Sequence, residues 1–336
     1  MEKNFSLRDL NTFGFDVKAK YFQELKSMDD IRDLIKNPEF KQSRHLILSG
    51  GSNILFSSDF FDGFVVYPNL KGIETLEEDD ETIKIRCYCG EVWKDFVDYT
   101  VSKNYYGLEN LSDIPGKVGA APVQNIGAYG AEVKDTVYQV HTIDLKTGKI
   151  RVFNNNECEF SYRNSIFKTI KSTLITAVDF VLKKHSDLKL DYGNIRNYLI
   201  NNNISNPTIK DVASTVKAIR AEKLPEVGVV GSVGSFFQNA IVSEEKYLEL
   251  KKTYQEVPSY PVSSQALVKI PSGWLIDRAG WKGYREGHVG VWDKQALVLV
   301  HYGGGKPQEI LDLMKKIQIS VKEKFGIEIK PEVNII

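Results

Sequence analysis

Seventeen consecutive residues, Ile114 to Gly130, include four glycines, three alanines and two prolines. A run so poor in bulk and so rich in helix and ladder breakers cannot be a regular helix or a central strand. Its backbone can instead be approached closely by a ligand, and Gln124 and Asn125 add polar groups that a purely structural loop would not need. A second small-residue turn, Ser49-Gly50-Gly51-Ser52-Asn53, follows the apolar run Leu46-Ile47-Leu48 and stacks several backbone N–H groups, as phosphate oxygens require. Taken singly, each is explained by a tight loop or a simple turn. Together, bracketing a sheet-rich segment, they point to a large cofactor that carries a diphosphate. The mode is not that of a dinucleotide fold, because no G-x-G-x-x-G opens a helix and Gly228, Gly231 and Gly234 have other spacing and follow one. No P-loop is present either.

At 336 residues the chain exceeds what a single core usually supports, so two or three packed domains are expected. Helix and strand alternate first: Asp29 is placed to cap a helix through Ile31, Leu34 and Ile35, and short strands are expected at 46–48 and 64–67. From about residue 71 strands dominate, at 82–89, 137–145, 149–153 and 173–182, with a hairpin at Thr147-Gly148. Val92, Trp93, Phe96, Val97 and Val101 have helical spacing, as do Ile209, Val212, Val216 and Ile219. A late helix starts at Pro307, buries Ile310, Met314, Ile317 and Val321, and stops at Gly326. Ile327, Ile329, Val333 and Ile335 alternate with polar residues, predicting a terminal strand that Pro331 confines to an edge.

Basic and acidic side chains balance at 44 each and no basic stripe is visible, which argues against a surface that holds nucleic acid. Three cysteines and five scattered histidines lack metal-ligand spacing, so no metal site is expected. Cys87 and Cys89 are two apart in a strand and are expected to be buried thiols on one face. No apolar run approaches a membrane span and the amino terminus has no signal core; a cytoplasmic monomer with no membrane partner is the expectation.

Three polar residues sit in settings suited to chemistry. Arg163 lies among hydroxyls in Ser161-Tyr162-Arg163-Asn164-Ser165, Ser235 stands between Gly234 and Phe236-Phe237, and Glu332 is on the polar face of the terminal segment. Each also has an ordinary explanation as an ion pair, a turn or a solvated carboxylate. The absence of a G-x-S-x-G elbow argues against a hydrolase.

The ordered set Asn11-Thr12-Phe13-Gly14, Leu48–Leu55, Ile114–Gly130, Ser161-Tyr162-Arg163, Gly234–Asn239, Gly273-Trp274-Leu275-Ile276-Asp277 and Pro331-Glu332-Val333 resembles the UDP-N-acetylenolpyruvoylglucosamine reductase family, type I. The resemblance implies an α+β chain: an FAD-binding fold of the vanillyl-alcohol-oxidase type in two subdomains, residues 1–70 and 71–217, with 326–336 returning to the second. An α+β substrate-binding domain at 218–325 completes it. It implies non-covalent FAD and NADPH as reductant, with a sugar nucleotide as substrate.

By the same resemblance Arg163, Ser235 and Glu332 are the catalytic residues, Ser235 as proton donor to C2 and the other two as stabilisers of the developing carboxylate charge. Gly50, Gly51, Ser52, Asn53, Ile54, Pro115, Gly116, Gly119, Ala120, Asn125, Gly127 and Tyr129 would hold the cofactor. Tyr162, Tyr192, Arg220, Lys223, Asn239 and Gln295 would hold the substrate, with Tyr192 covering its diphosphate. An FAD-linked alcohol oxidase or dehydrogenase of the same superfamily is the alternative, and a binding module without catalysis a third reading.

Overall fold

A computed structural model describes residues 1–262 and 266–336, which divide into two compact units. The first comprises Met1–Phe5, Ala19–Gly50 and Asp62–Arg220; the second comprises Ser6–Lys18, Gly51–Phe61 and Ala221–Ile336.

In the first unit, the helix Met28–Lys36 begins where Ser27 accepts a hydrogen bond from Asp30 N and the Asp30 carboxylate accepts in return from Ser27 N. The cap is therefore Ser27 and not the expected Asp29, because a hydroxyl three residues ahead of a carboxylate satisfies two orphan donors at once. Ile31 and Leu34 of this helix are buried with Leu25, Phe40, Phe64 and Val66. Phe64 and Val66 belong to Phe60–Pro68, which pairs in parallel with His45–Ile47 and so carries the chain into the glycine turn at residue 49.

A five-stranded sheet follows, in the order Ile150–Asn154, Val137–Asp144, Thr173–Lys183, Thr82–Tyr88, Ile73–Glu78, every pairing antiparallel. Its two faces divide the labour. Ile83, Ile85 and Cys87 alternate into a large core with Phe180 and Leu182, against which the helix Trp93–Ser102 lays Trp93, Phe96 and Val97. On the other face Arg86 stands directly opposite Asp179 and grips its carboxylate at 2.8 and 2.9 Å, with His141 Nε2 at 2.8 Å. Burial alone would raise the Asp179 pKa, but these two partners hold it below its ordinary value.

The three cysteines are free and buried. Burial pushes the Cys89 thiol up to about 11 and Cys158 to about 12, and Cys87 is raised further for the same reason, so none is a ready nucleophile. Cys87 and Cys89 do not share a core: the strand ends at Tyr88, and Cys89 turns into the cluster of Phe64 and Ile143.

The second unit contains a four-stranded sheet, Gly231–Ser235, Val298–His301, Val289–Val291 and Arg285–Glu286, and a three-stranded one, Ala240–Ser243, Leu267–Ile270 and Tyr260–Pro261. The helix Pro307–Phe325 ends on Gly326 in the left-handed conformation, as its sequence predicts. Residues 6–18 pack closely on this sheet. Ser232 N donates to Thr12 O at 3.0 Å, buried His301 donates from Nδ1 to Phe13 O at 2.8 Å, and a Cβ on Gly231 would lie 2.1 Å from that same oxygen.

The tail departs from expectation. Ile327, Ile329 and Val333 are buried as the alternation requires, yet only Asn334–Ile335 forms a strand, in parallel with Ile54–Leu55. The preceding residues contribute one isolated bridge, Pro331 opposite Phe237, since proline has no N–H for a continuous ladder.

Replacing Phe96 by Ala removes a fully buried ring packed 5.0 Å from Phe180. We expect a loss of about 3–5 kcal/mol in chemical denaturation. A loss below about 1 kcal/mol would show that this helix does not anchor the sheet.

Candidate active site

In the first unit the two glycine loops touch backbone to backbone. A Cβ on Gly50 would lie 2.6 Å from Gly116 Cα, and one on Gly119 would lie 2.5 Å from Cys89 Cβ, so neither position admits a side chain. The second loop is fastened to the turn before helix Trp93–Ser102: Trp93 N donates to Gly116 O at 3.0 Å, Val118 N to Glu91 O at 2.9 Å and Gly119 N to Cys89 O at 3.1 Å. Beside the first glycine, Ser49 Oγ is buried with no hydrogen-bond partner among the described residues. An orphan hydroxyl at the mouth of a cradle that side chains cannot fill is what a bound polar group would satisfy.

The loop from Asn125 to Tyr129 is equally constrained. Asn125 is fully buried with a φ of 45°; its Nδ2 donates to Glu132 Oε2 and to Ser161 O, both at 3.1 Å, and its Oδ1 accepts from Lys134 N. Asn125 therefore ties the glycine loop to the turn bearing Tyr162 and Arg163. That turn is closed by reciprocal backbone bonds between Ser161 and Asn164, and Lys168 Nζ donates to Arg163 O at 2.7 Å. The Arg163 guanidinium comes so near Gly127 that a Cβ there would lie 3.0 Å from Nη1.

Arg220, near the end of helix Ile209–Lys223, has its Nε buried without a partner among the described residues. Burial lowers its pKa, with Tyr129 and Asp113 opposing that shift. Arg220 is half-buried, and its Nε has no hydrogen-bond acceptor among the described residues to offset that loss of water. The same burial raises Tyr129. The unpaired guanidinium N–H suits an anionic ligand in this unit.

In the second unit Gly51 has a φ of 60°, and a Cβ there would lie 2.0 Å from Leu10 O; Thr12 N donates to Gly51 O. Asn53 O accepts from Asn334 N and Nδ2, both at 3.1 Å, which sets the terminal strand beside Ile54. Ser235 is exposed at the end of its strand, ahead of the buried pair Phe236-Phe237. Glu332 N donates to Phe236 O at 2.8 Å, so two of the three expected catalytic residues, remote in sequence, become neighbours. Arg163 belongs to the other unit.

Asn239 Oδ1 accepts from Ser272 N at 3.2 Å, and Gln295 Oε1 lies where a Cβ on Gly273 would be 3.0 Å away, so both expected substrate residues meet the start of helix Ser272–Arg278. Gln295 also lines a cavity of about 300 Å³ with Trp274, Lys282 and Lys294. Lys223 is exposed at its helix end. No helix among the described residues is long and apolar enough to cross a membrane, and no cluster of metal-ligating side chains is found among them.

Two residues without an assigned role in the sequence reading belong to this architecture. Ser49 was visible as part of its motif, but only the fold leaves its hydroxyl unpaired. Lys117, 8% exposed, donates to Asn69 Oδ1 at 2.9 Å and lies 3.8 Å from the centre of the Tyr67 ring. A buried lysine inside a glycine loop carries no sequence signature of its own.

Two sequence profiles match the chain: an FAD-binding domain over residues 19–154, and the C-terminal domain of UDP-N-acetylenolpyruvoylglucosamine reductase over 225–336. The UDP-N-acetylenolpyruvoylglucosamine reductase of Flavobacterium johnsoniae is 45% identical over all of this chain and 99% of its own length, and that of Bacteroides fragilis 46% identical over the whole of both. Among solved structures, UDP-N-acetylenolpyruvylglucosamine reductase from Thermus caldophilus superposes with a TM-score of 0.68, covering 98% of this chain and 97% of its own at 19% identity; it shares the fold.

Burial, reinforced by Lys71, lowers Lys117 to about 8 from its ordinary 10.5. The unfolded chain then binds more protons than the folded one between those values, so this lysine makes stability rise with pH there, by about 1.4 kcal/mol per unit at most. Thermal unfolding of wild type and Lys117→Met should therefore diverge in favour of wild type from pH 8 to 10; parallel curves would remove the shift.

Proposed function

The chain belongs to the UDP-N-acetylenolpyruvoylglucosamine reductase family and is an oxidoreductase, and from that premise we propose that it uses NADPH and non-covalent FAD to reduce UDP-N-acetylglucosamine-enolpyruvate to UDP-N-acetylmuramate, a peptidoglycan precursor. The observation that supports this reading is the hydrogen bond from Glu332 N to Phe236 O, which brings the Glu332 backbone, from a distant part of the sequence, against the residue that follows Ser235. FAD is the group that the cradle of the first unit fits, with Gly50, Pro115, Gly116, Gly119, Ala120, Asn125, Gly127 and Tyr129 as the residues that would hold it; Gly51, Ser52, Asn53 and Ile54 are the further residues assigned to the cofactor. The division into 1–70, 71–217 and 218–325, a monomeric state and a cytoplasmic location belong to the same reading.

FAD held there would, when reduced by NADPH, be the source of hydride for the enolpyruvyl C3. The rest of the chemistry falls to side chains. Negative charge then develops at C2 and its carboxylate, where Arg163 offers a charged fork and Glu332, in its protonated form, a hydrogen bond. Ser235 Oγ holds the proton that C2 requires. A serine is a weak acid, so it can act only next to a strongly basic carbon with water excluded. Ser235, Tyr162 and Tyr192 are all exposed, so bound substrate must supply that cover. Tyr162, Tyr192, Arg220, Lys223, Asn239 and Gln295 are the residues assigned to hold the nucleotide.

Purified protein should show a flavin spectrum that NADPH bleaches, and steady NADPH consumption only when the enolpyruvyl sugar nucleotide is added; turnover of an alcohol with oxygen would favour the oxidase alternative. Ser235→Ala should keep flavin reduction by NADPH while turnover falls about 10²–10³-fold. Equal loss in both half-reactions would overturn the proton-donor role. Tyr192→Phe should mainly raise KM for the sugar nucleotide, and an unchanged KM would remove its covering role.

A further inference from the structure

One buried amide in the first unit reaches two separate segments. Asn110 is 2% exposed, in the short turn Glu109–Leu111, and its Nδ2 donates to Tyr129 O and to Lys189 O, each at 2.8 Å. Both of its N–H groups are thereby used, one on the cofactor-side loop and one on Lys189, which immediately precedes Leu190-Asp191-Tyr192-Gly193. Its Oδ1 is buried with no partner among the described residues, so the side chain is held by what it donates.

The two segments interlock where this amide joins them. A Cβ on Gly130 would lie 2.9 Å from Tyr192 Cβ, and one on Gly193 would lie 3.3 Å from the Tyr129 ring. Tyr129, Gly130 and Gly193 all have positive φ, of 48°, 79° and 66°. Tyr129 and Leu190 also pack on one hydrophobic cluster, Ile195, Leu199, Val216 and Ile219. Each tyrosine thus rests on the other segment's glycine. The amide bridges the backbones of these two interlocked segments.

We infer that Asn110 is a positioning residue that locks the Tyr192 loop to the Gly127–Gly130 loop, so that the tyrosine is correctly placed only when the neighbouring loop is seated. The inference rests on the proposed reading in which the first loop faces the cofactor and Tyr192 covers the substrate. It predicts that occupancy of the cofactor loop and readiness of the substrate cover rise and fall together.

The test uses the full FAD-loaded chain. Asn110→Asp keeps the size of the side chain, but an ionised carboxylate donates to neither carbonyl and a protonated one to a single carbonyl. Two lost hydrogen bonds should raise KM for the sugar nucleotide about 5- to 100-fold while the rate of flavin reduction by NADPH is unchanged. In a Tyr192→Ala background the same substitution should add nothing to KM, since it acts through that residue. An unchanged KM, or an equal rise on top of Tyr192→Ala, would overturn the inference.

Hydrogen exchange on the wild type does not depend on the variant folding. FAD removal should speed exchange in 127–130 and in 189–193 together, and a response confined to 127–130 would also overturn the inference. Failure of the underlying reading looks different: Tyr192→Phe would leave KM unchanged while the two segments still exchanged in concert.

Discussion

The first unit depends on the approach of Gly50 to Gly116, where two chain segments meet with no side chain between them. A methyl group at Gly50 would sit 2.6 Å from the facing Cα, far inside contact distance, so the two loops keep this spacing only as glycines. The parallel strand that delivers the first loop, and the bonds from Trp93, Val118 and Gly119 that hold the second, exist around that approach. Backbone N–H groups set this close form a surface suited to phosphate, and the orphan Ser49 hydroxyl and the buried Arg220 Nε are polar groups that the protein leaves unanswered. Leaving such groups unpaired costs about 1–3 kcal/mol each, which a ligand of complementary charge can return on binding.

Much of this was legible in the sequence, for physical reasons that differ by element. The late helix could be read to within a residue because Pro307 and Gly326 impose backbone geometries that few other residues do. The central strands were legible because one face of their sheet is apolar and period two follows. The cap at Ser27 was missed because Asp29 and Asp30 are both acceptable caps locally, and only the carboxylate of Asp30 reaches back to the chain. The tail was overread: alternation records burial, and Ile327, Ile329 and Val333 are buried without a ladder to join.

The site was legible as a set of motifs but not as an arrangement. Nothing local in Leu108-Glu109-Asn110-Leu111 marks Asn110 as a bridge, because its two partners, Tyr129 and Lys189, are defined only by the folded backbone. Lys117 is similarly hidden: a lysine in a loop is ordinarily solvated, and only packing against Tyr67 and Asn69 takes it out of water. The closeness of Ser235 and Glu332 depends on a backbone bond that spans most of the second unit's own sequence.

The second unit takes Thr12 and Phe13 from one end of the polypeptide and His301 from near the other, and it sews Ile54-Leu55 to Asn334-Ile335. Such a unit has high contact order, and the entropy of closing so long a loop must be met before its native contacts reward it. Residues 225–336, although a recognisable segment of sequence, therefore lack some of their own unit's partners, Thr12, Phe13 and Ile54-Leu55 among them. They acquire their final neighbours only when the intervening polypeptide has already brought the opening residues home.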